Sequence, residues 1–152
     1  MKPFRSILVP LDFAESSKEA LEMAISLVEM AGATLTLVHV CEQPAYVYSG
    51  MMLGMADLTA PIKEAARKHL DETLAAVRPR VPDVRGVLRM GVPWSEILEA
   101  IAAAGADLVV MGTHGRRGLG HVVLGSVAER IVRTSPVPVL TVRHTETKAA
   151  KK

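Results

Sequence analysis

Short apolar runs alternate along the chain with longer segments in which apolar residues recur every three or four positions. The apolar runs predict five strands, over 6–10, 34–40, 84–90, 107–111 and 137–142. The periodic segments between them predict four helices, which begin near Ser16, Pro61, Pro93 and Ser126. Strict alternation of strand and helix is typical of an α/β domain whose parallel sheet carries helices on both faces.

Polar residues and a glycine predict where some of these helices begin and end. Ser16 and Glu19 have the spacing of a capping box, which makes Ser16 the predicted N-cap of the first helix. Ser126 and Glu129 repeat that spacing at the start of the fourth helix. Gly32 stands where a left-handed C-terminal cap is expected for the first helix.

Two segments lack the periodicity of helices and strands. The stretch 42–60 contains three methionines, Met51, Met52 and Met55, and is long for a loop inside a compact domain. It is either a lid or interaction surface, or a locally disordered insertion. The lysine-rich stretch 144–152 is expected to be a flexible basic tail, which leaves 1–143 as a single domain.

Composition narrows the class of protein. The chain has 152 residues, of which 49% are hydrophobic but only 3% aromatic, so its core must be largely aliphatic. A net charge of +2 without a basic, aromatic stripe argues against a nucleic-acid-binding domain. No apolar run approaches the roughly 20 residues of a membrane span, and the N-terminal run is too short for a signal peptide. Cys41 is the one cysteine, so no intrachain disulfide is possible, and we expect a cytoplasmic protein.

The stretch from the fourth predicted strand to the fourth helix carries the candidate chemistry. It combines glycines with basic side chains, namely Gly112, Gly115, Gly118, Gly120 and Gly125 with His114, Arg116 and Arg117. Glycines let backbone N–H groups approach a ligand closely, and a helix N-terminus adds a partial positive charge. The stretch therefore predicts an anion-binding site, with phosphate as the expected anion.

The position of this stretch in the predicted topology also favours ligand binding. It follows a strand at its carboxyl end, as do Asp12 and Val40, and parallel sheets bind ligands at that edge near a topological switch point. Neither the P-loop pattern nor the dinucleotide fingerprint of glycines occurs in the sequence.

The pattern that does occur is Gly112-x2-Gly115-x9-Gly125-Ser126, which resembles the G-x2-G-x9-G-[ST] motif of ATP-binding universal stress proteins. The resemblance covers nearly the whole chain and includes 7–12, 37–40, 91–97, 107–115 and 135–142. It implies a Rossmann-like, open five-stranded parallel sheet in the strand order 3-2-1-4-5.

The resemblance also implies a binding site for ATP. The residues expected at the adenine and ribose are Pro10, Leu11, Asp12, Val40, Met111 and Gly112. Those expected at the phosphates are His114, Gly115, Arg116, Gly125, Ser126 and Val127. Asp12 would lie near the sugar hydroxyls, and Val40 would offer backbone polar groups to the adenine edge. Mg²⁺ or Mn²⁺ would be held mainly by phosphate oxygens and water.

Several of these residues have simpler interpretations. Ser126 can cap its helix without any ligand, and Asp12 can be a turn residue. His114 and His121 make a metal pair conceivable, but no third ligand is suggested. His39, in the middle of a strand, is interpreted as a hydrogen-bonded structural histidine.

The preferred hypothesis is an ATP-binding regulatory or stress-response module that works through a ligand-dependent conformational change. Any hydrolysis should be slow, because no P-loop lysine is present to neutralise phosphate charge. The alternatives are a nucleotide hydrolase or phosphotransferase that uses His114 or Asp12, and an interaction protein that binds no nucleotide; the sequence does not reveal the protein partner.

The last predicted strand, Val137–Val142, also predicts an assembly. It is apolar, and a symmetry mate would cover it if it lies at the edge of the sheet. The family resemblance likewise implies a homodimer through this strand.

Overall fold

Five parallel strands form one sheet in the order β3-β2-β1-β4-β5, as the sequence predicted. The strands are β1 (Ser6–Leu11), β2 (Thr34–Cys41), β3 (Arg85–Met90), β4 (Leu108–Gly112) and β5 (Val139–Val142). The helices are α1 (Glu15–Ala31), α2 (Ala60–Val77), α3 (Pro93–Ala104) and α4 (Ser126–Thr134). This computed structural model describes residues 2–43, 59–114 and 124–144.

The sheet is buried on both faces, which explains why its central strands are continuous apolar runs. Successive side chains of a strand point to opposite faces, so Ile7 and Val9 pack in one layer while Leu8 packs in the other. The first layer is completed by α1 and α2, with Leu21, Ile25, Leu70 and Leu74 among its buried residues. The second is completed by α3 and α4, with Ile97, Ile101 and Ile131.

The start of α1 differs from the prediction. The helix begins at Glu15 with Ala14 as its N-cap, and no side chain caps it, so the assignment of Ser16 as N-cap was wrong. Ser16 is instead buried, and its hydroxyl donates to the backbone carbonyl of His114, which follows β4. The Ser16 hydroxyl therefore forms a long-range tertiary hydrogen bond and does not cap the helix. At the other end Gly32 is the left-handed cap, with φ of 65°, as predicted.

The last strand is shorter than its apolar run. β5 begins at Val139, because Pro138 has no N–H to contribute and only its carbonyl joins the ladder, accepting from Val109 N–H at 3.0 Å. Most of the predicted 42–60 loop lies outside the described residues, as does the predicted tail beyond His144. Within the described parts of the chain, no helix is both long enough and apolar enough to cross a membrane.

The first turn of α1 lies directly against the end of β4. A Cβ atom added to Gly112 would stand 2.4 Å from the Ser16 hydroxyl oxygen and 2.7 Å from the Ser16 backbone carbonyl carbon. Rotation of the Ser16 side chain cannot make room for the added Cβ atom, because the contact at 2.7 Å is with the Ser16 backbone. Glycine at position 112 is thus required by helix–sheet packing, whatever else the position does.

Gly112→Ala should lower the free energy of unfolding by about 1–3 kcal/mol, the usual range for overpacking a core, as measured by urea denaturation. Gly86→Ala is a matched control on β3, since its added Cβ meets only the movable end of the Leu74 side chain. Equal stability losses in the two variants would contradict this account of Gly112.

Candidate functional site

A cleft of about 880 Å³ opens at the carboxyl ends of β1, β2 and β4. β1 and β4 are neighbours in the sheet, but the chain leaves them in opposite directions, toward β2 and toward β5. Such a switch point leaves a crevice between the departing loops. The volume lies in the range of small-molecule and cofactor sites, roughly 300–1,000 Å³.

The predicted site residues that fall in the described ranges all line this cleft. They are Pro10, Leu11, Asp12, Val40, Met111, Gly112, His114, Gly125, Ser126 and Val127. Gly115 and Arg116 lie outside the described residues. Four separate stretches of the sequence therefore meet at one place, and their role toward a ligand stays a prediction.

Asp12 forms the turn that leads from β1 into α1. Its Oδ1 accepts a hydrogen bond from the Ala14 N–H at 2.9 Å, which is the geometry of an Asx turn. The turn interpretation and the ligand interpretation are compatible, because an ionised carboxylate has room for about four hydrogen bonds. Asp12 is half-buried in the cleft wall, where it supplies negative charge and acceptor oxygens.

The N-terminus of α4 forms the opposite wall. Gly125 is its N-cap and no side chain makes a capping bond, so the capping-box assignment of Ser126 was wrong. The Gly125 N–H, expected to serve phosphate, donates instead to the Thr113 carbonyl at 2.6 Å. Ser126 and Val127 open the helix, where backbone N–H groups have no partner inside the helix and the dipole favours an anion.

The segment that leaves β4 is anchored from several sides. The Thr113 N–H donates to the Val142 carbonyl at 3.1 Å, and the Thr113 hydroxyl lies 2.9 Å from His114 Nδ1. The His114 carbonyl accepts from the Ser16 hydroxyl. These bonds fix the backbone from β4 to His114 at the floor of the cleft.

A third wall, on the α2 side, was not predicted as part of the site. It includes Phe13, His39 and His69. His39 Nδ1 lies 2.7 Å from the Leu11 carbonyl, which agrees with its interpretation as a hydrogen-bonded histidine, but its ring also faces the cleft. Position alone could have suggested His39, since it lies near the carboxyl end of β2. Nothing in the sequence signals that α2 would reach this edge.

The metal pair of His114 and His121 that the sequence leaves open stays untested. No group of three His, Cys, Asp or Glu side chains suited to a metal ion occurs within residues 2–43, 59–114 and 124–144. His121, the second member of the conceivable histidine pair, lies outside those ranges.

Comparison with known proteins places this architecture in one family. The universal stress protein family matches residues 3–143. A universal stress protein of Thermus aquaticus is 34% identical over 146 residues, and the match covers 92% of this chain and 99% of that protein.

Solved structures show the same fold. A universal stress protein in complex with cAMP is similar with a TM-score of 0.70 at 21% identity, covering 95% of this chain and 100% of the other. One from Arabidopsis thaliana with AMP bound has a TM-score of 0.62 at 17% identity, covering 97% of both chains.

Proposed function

The chain belongs to the universal stress protein family, and we propose that it is an ATP-binding regulatory module. The observation that carries this proposal is the meeting of Asp12 and the uncapped N-terminus of α4 across a single cleft. One wall suits the hydroxyls of a sugar and the other suits phosphate. An adenine nucleotide carries both groups, joined at a fixed distance.

The proposed phosphate end is the start of α4. The Ser126 and Val127 N–H groups and the Ser126 hydroxyl would donate to phosphate oxygens, supported by the positive end of the helix. The Gly125 N–H contributes indirectly, because its bond to the Thr113 carbonyl holds the turn beside His114.

The proposed adenine and ribose end lies over β1 and β2. Pro10, Leu11 and Val40 give it an apolar surface, and the Val40 backbone would meet the polar edge of adenine. Asp12 would accept from the sugar hydroxyls. A structural relative with cAMP and another with AMP share the adenosine part of this ligand, which supports the choice of adenine.

The proposal includes Mg²⁺ or Mn²⁺ held through the phosphates and water, which suits the reluctance of Mg²⁺ to lose its hydration shell. It includes at most slow hydrolysis, because the sequence has no P-loop lysine to neutralise phosphate charge. Such a module is expected in the cytoplasm, which supplies ATP.

We assign the conformational change to α4. Arg130 on this helix lies over the ring of Trp94, 3.9 Å from the ring centroid. Trp94 is in the first turn of α3, next to Pro93 of the cleft wall. If phosphate on the first turn of α4 moves this helix, the surroundings of Trp94, the one tryptophan of the sequence, change with it.

Ser126→Asp should weaken ATP binding about tenfold or more, equal to about 1.4 kcal/mol, as measured by isothermal titration calorimetry. The new carboxylate would repel the phosphates, while it would suit the N-terminus of α4 and leave the fold intact. Ser26→Asp is the matched control, because it makes the same change on the exposed face of α1.

Two results would contradict ATP binding at this site. The first is a parent protein that takes up no ATP at millimolar concentration and releases no nucleotide on denaturation. The second is an unchanged dissociation constant in Ser126→Asp.

Saturating ATP should change the emission spectrum of Trp94, because a movement of α4 alters the contact of its ring with Arg130. In Arg130→Gln the change should be much smaller, while calorimetry still detects binding. A spectrum that stays constant in the parent protein at saturation would overturn the assignment of the switch to α4.

We also propose a homodimer through the last strand. β5 is an edge of the sheet, and Leu140 on it is 38% exposed although it is a large apolar residue. A second copy would cover this edge and satisfy its open hydrogen-bonding positions.

Leu140→Asp should convert the dimer to a monomer in sedimentation velocity at micromolar concentration, because a carboxylate would be buried at the proposed interface. Met30→Asp is the control, since it makes a similar change at a residue of α1 that is 84% exposed. A parent protein that sediments as a monomer, or a Leu140→Asp variant that remains a dimer, would refute the proposal.

A further inference from the structure

Phe13 has a backbone conformation that needs an explanation. Its φ is 64°, and among the described residues it is the one non-glycine residue with positive φ. An aromatic L-residue rarely adopts this region, because its Cβ crowds the backbone. Such a conformation persists when surrounding contacts hold it, and it is concentrated at ligand clamps and active sites.

Two imidazole rings hold the side chain of Phe13. The ring of His69 on α2 stacks on it, with centroids 4.2 Å apart and 23° between the planes. The ring of His39 on β2 lies 4.5 Å away, tilted by 37°. His39 is itself fixed by the bond to the Leu11 carbonyl. The Phe13 ring is thus tied to both β2 and α2.

The same turn determines where the Asp12 carboxylate points. The bond from the Ala14 N–H to Asp12 Oδ1 spans Phe13, so it closes only when Phe13 takes a suitable conformation. The rings of His39 and His69 therefore act on Asp12 through the backbone of Phe13.

We propose that Phe13 is a positioning residue, which holds the Asp12 carboxylate toward the ribose hydroxyls and so sets the preference for a ribonucleotide. This inference rests on the proposed binding of ATP. A carboxylate held in place discriminates against a sugar that lacks hydroxyls, because its acceptor oxygens then lose their partners. A carboxylate released from the turn can find water instead and discriminates less.

The test compares the dissociation constants of ATP and 2′,3′-dideoxy-ATP in Phe13→Gly and Phe13→Tyr. Glycine tolerates positive φ, so the first variant removes the ring without blocking the turn. We expect the preference for ATP to fall about tenfold in Phe13→Gly, which corresponds to about 1.4 kcal/mol. Phe13→Tyr retains a ring for the stack and should retain the preference.

A double-mutant cycle separates positioning from direct contact with the ligand. In an Asp12→Ala background, Phe13→Gly should leave the remaining sugar preference unchanged, because the carboxylate on which Phe13 acts is gone. A further loss of preference in that background would overturn the proposal.

Hydrogen exchange of the Ala14 amide provides a readout without nucleotide. Its protection factor in the ligand-free protein should fall about tenfold in Phe13→Gly and stay constant in Phe13→Tyr. Unchanged protection in Phe13→Gly would overturn the positioning role even if ATP binds. If Phe13→Gly reduces the protection but the parent protein binds no ATP, the effect of Phe13 on the turn stands, while the nucleotide proposal and with it the sugar preference are refuted.

Discussion

The contact between Ser16 and the end of β4 is the constraint on which the cleft depends. Ser16 packs on Gly112, and its hydroxyl bonds to the His114 carbonyl. Ser16 thereby joins the first turn of α1 to the segment after β4. β1, which precedes α1, and β4 are the two strands at the topological switch point. If the contact were lost, the wall with Asp12 and the floor with His114 would no longer have a fixed separation.

The fold could be predicted from the sequence because the hydrophobic pattern, the residues at helix ends and the family resemblance all indicate the same α/β arrangement. Apolar runs such as 34–40 mark strands buried on both faces, and Gly32 marks a helix end that needs positive φ. Each of these patterns depends on residues only a few positions apart, and the strands and helix end that they predict are present in the structure. The gathering of Asp12, Val40 and Gly125 at one edge then follows from parallel topology.

The incorrect assignment of Ser16 has a physical cause that no local pattern contains. Ser16 and Ser126 both have the local pattern of a capping residue, but one hydroxyl is used by a partner 98 residues away and the other makes no capping bond. Phe13 shows the same limit, since its backbone depends on rings from β2 and α2. Local pattern cannot predict contacts whose partners are distant in sequence, and here such contacts shape the site walls.

The hydrogen bond from the Gly125 N–H to the Thr113 carbonyl also has a consequence for how this protein can vary. It joins the end of β4 to the start of α4. A change in the number of residues between Thr113 and Gly125 would have to keep both ends of this bond in place, and it would also alter the spacing Gly112-x2-Gly115-x9-Gly125-Ser126. This part of the sequence can therefore vary more readily by substitution than by insertion.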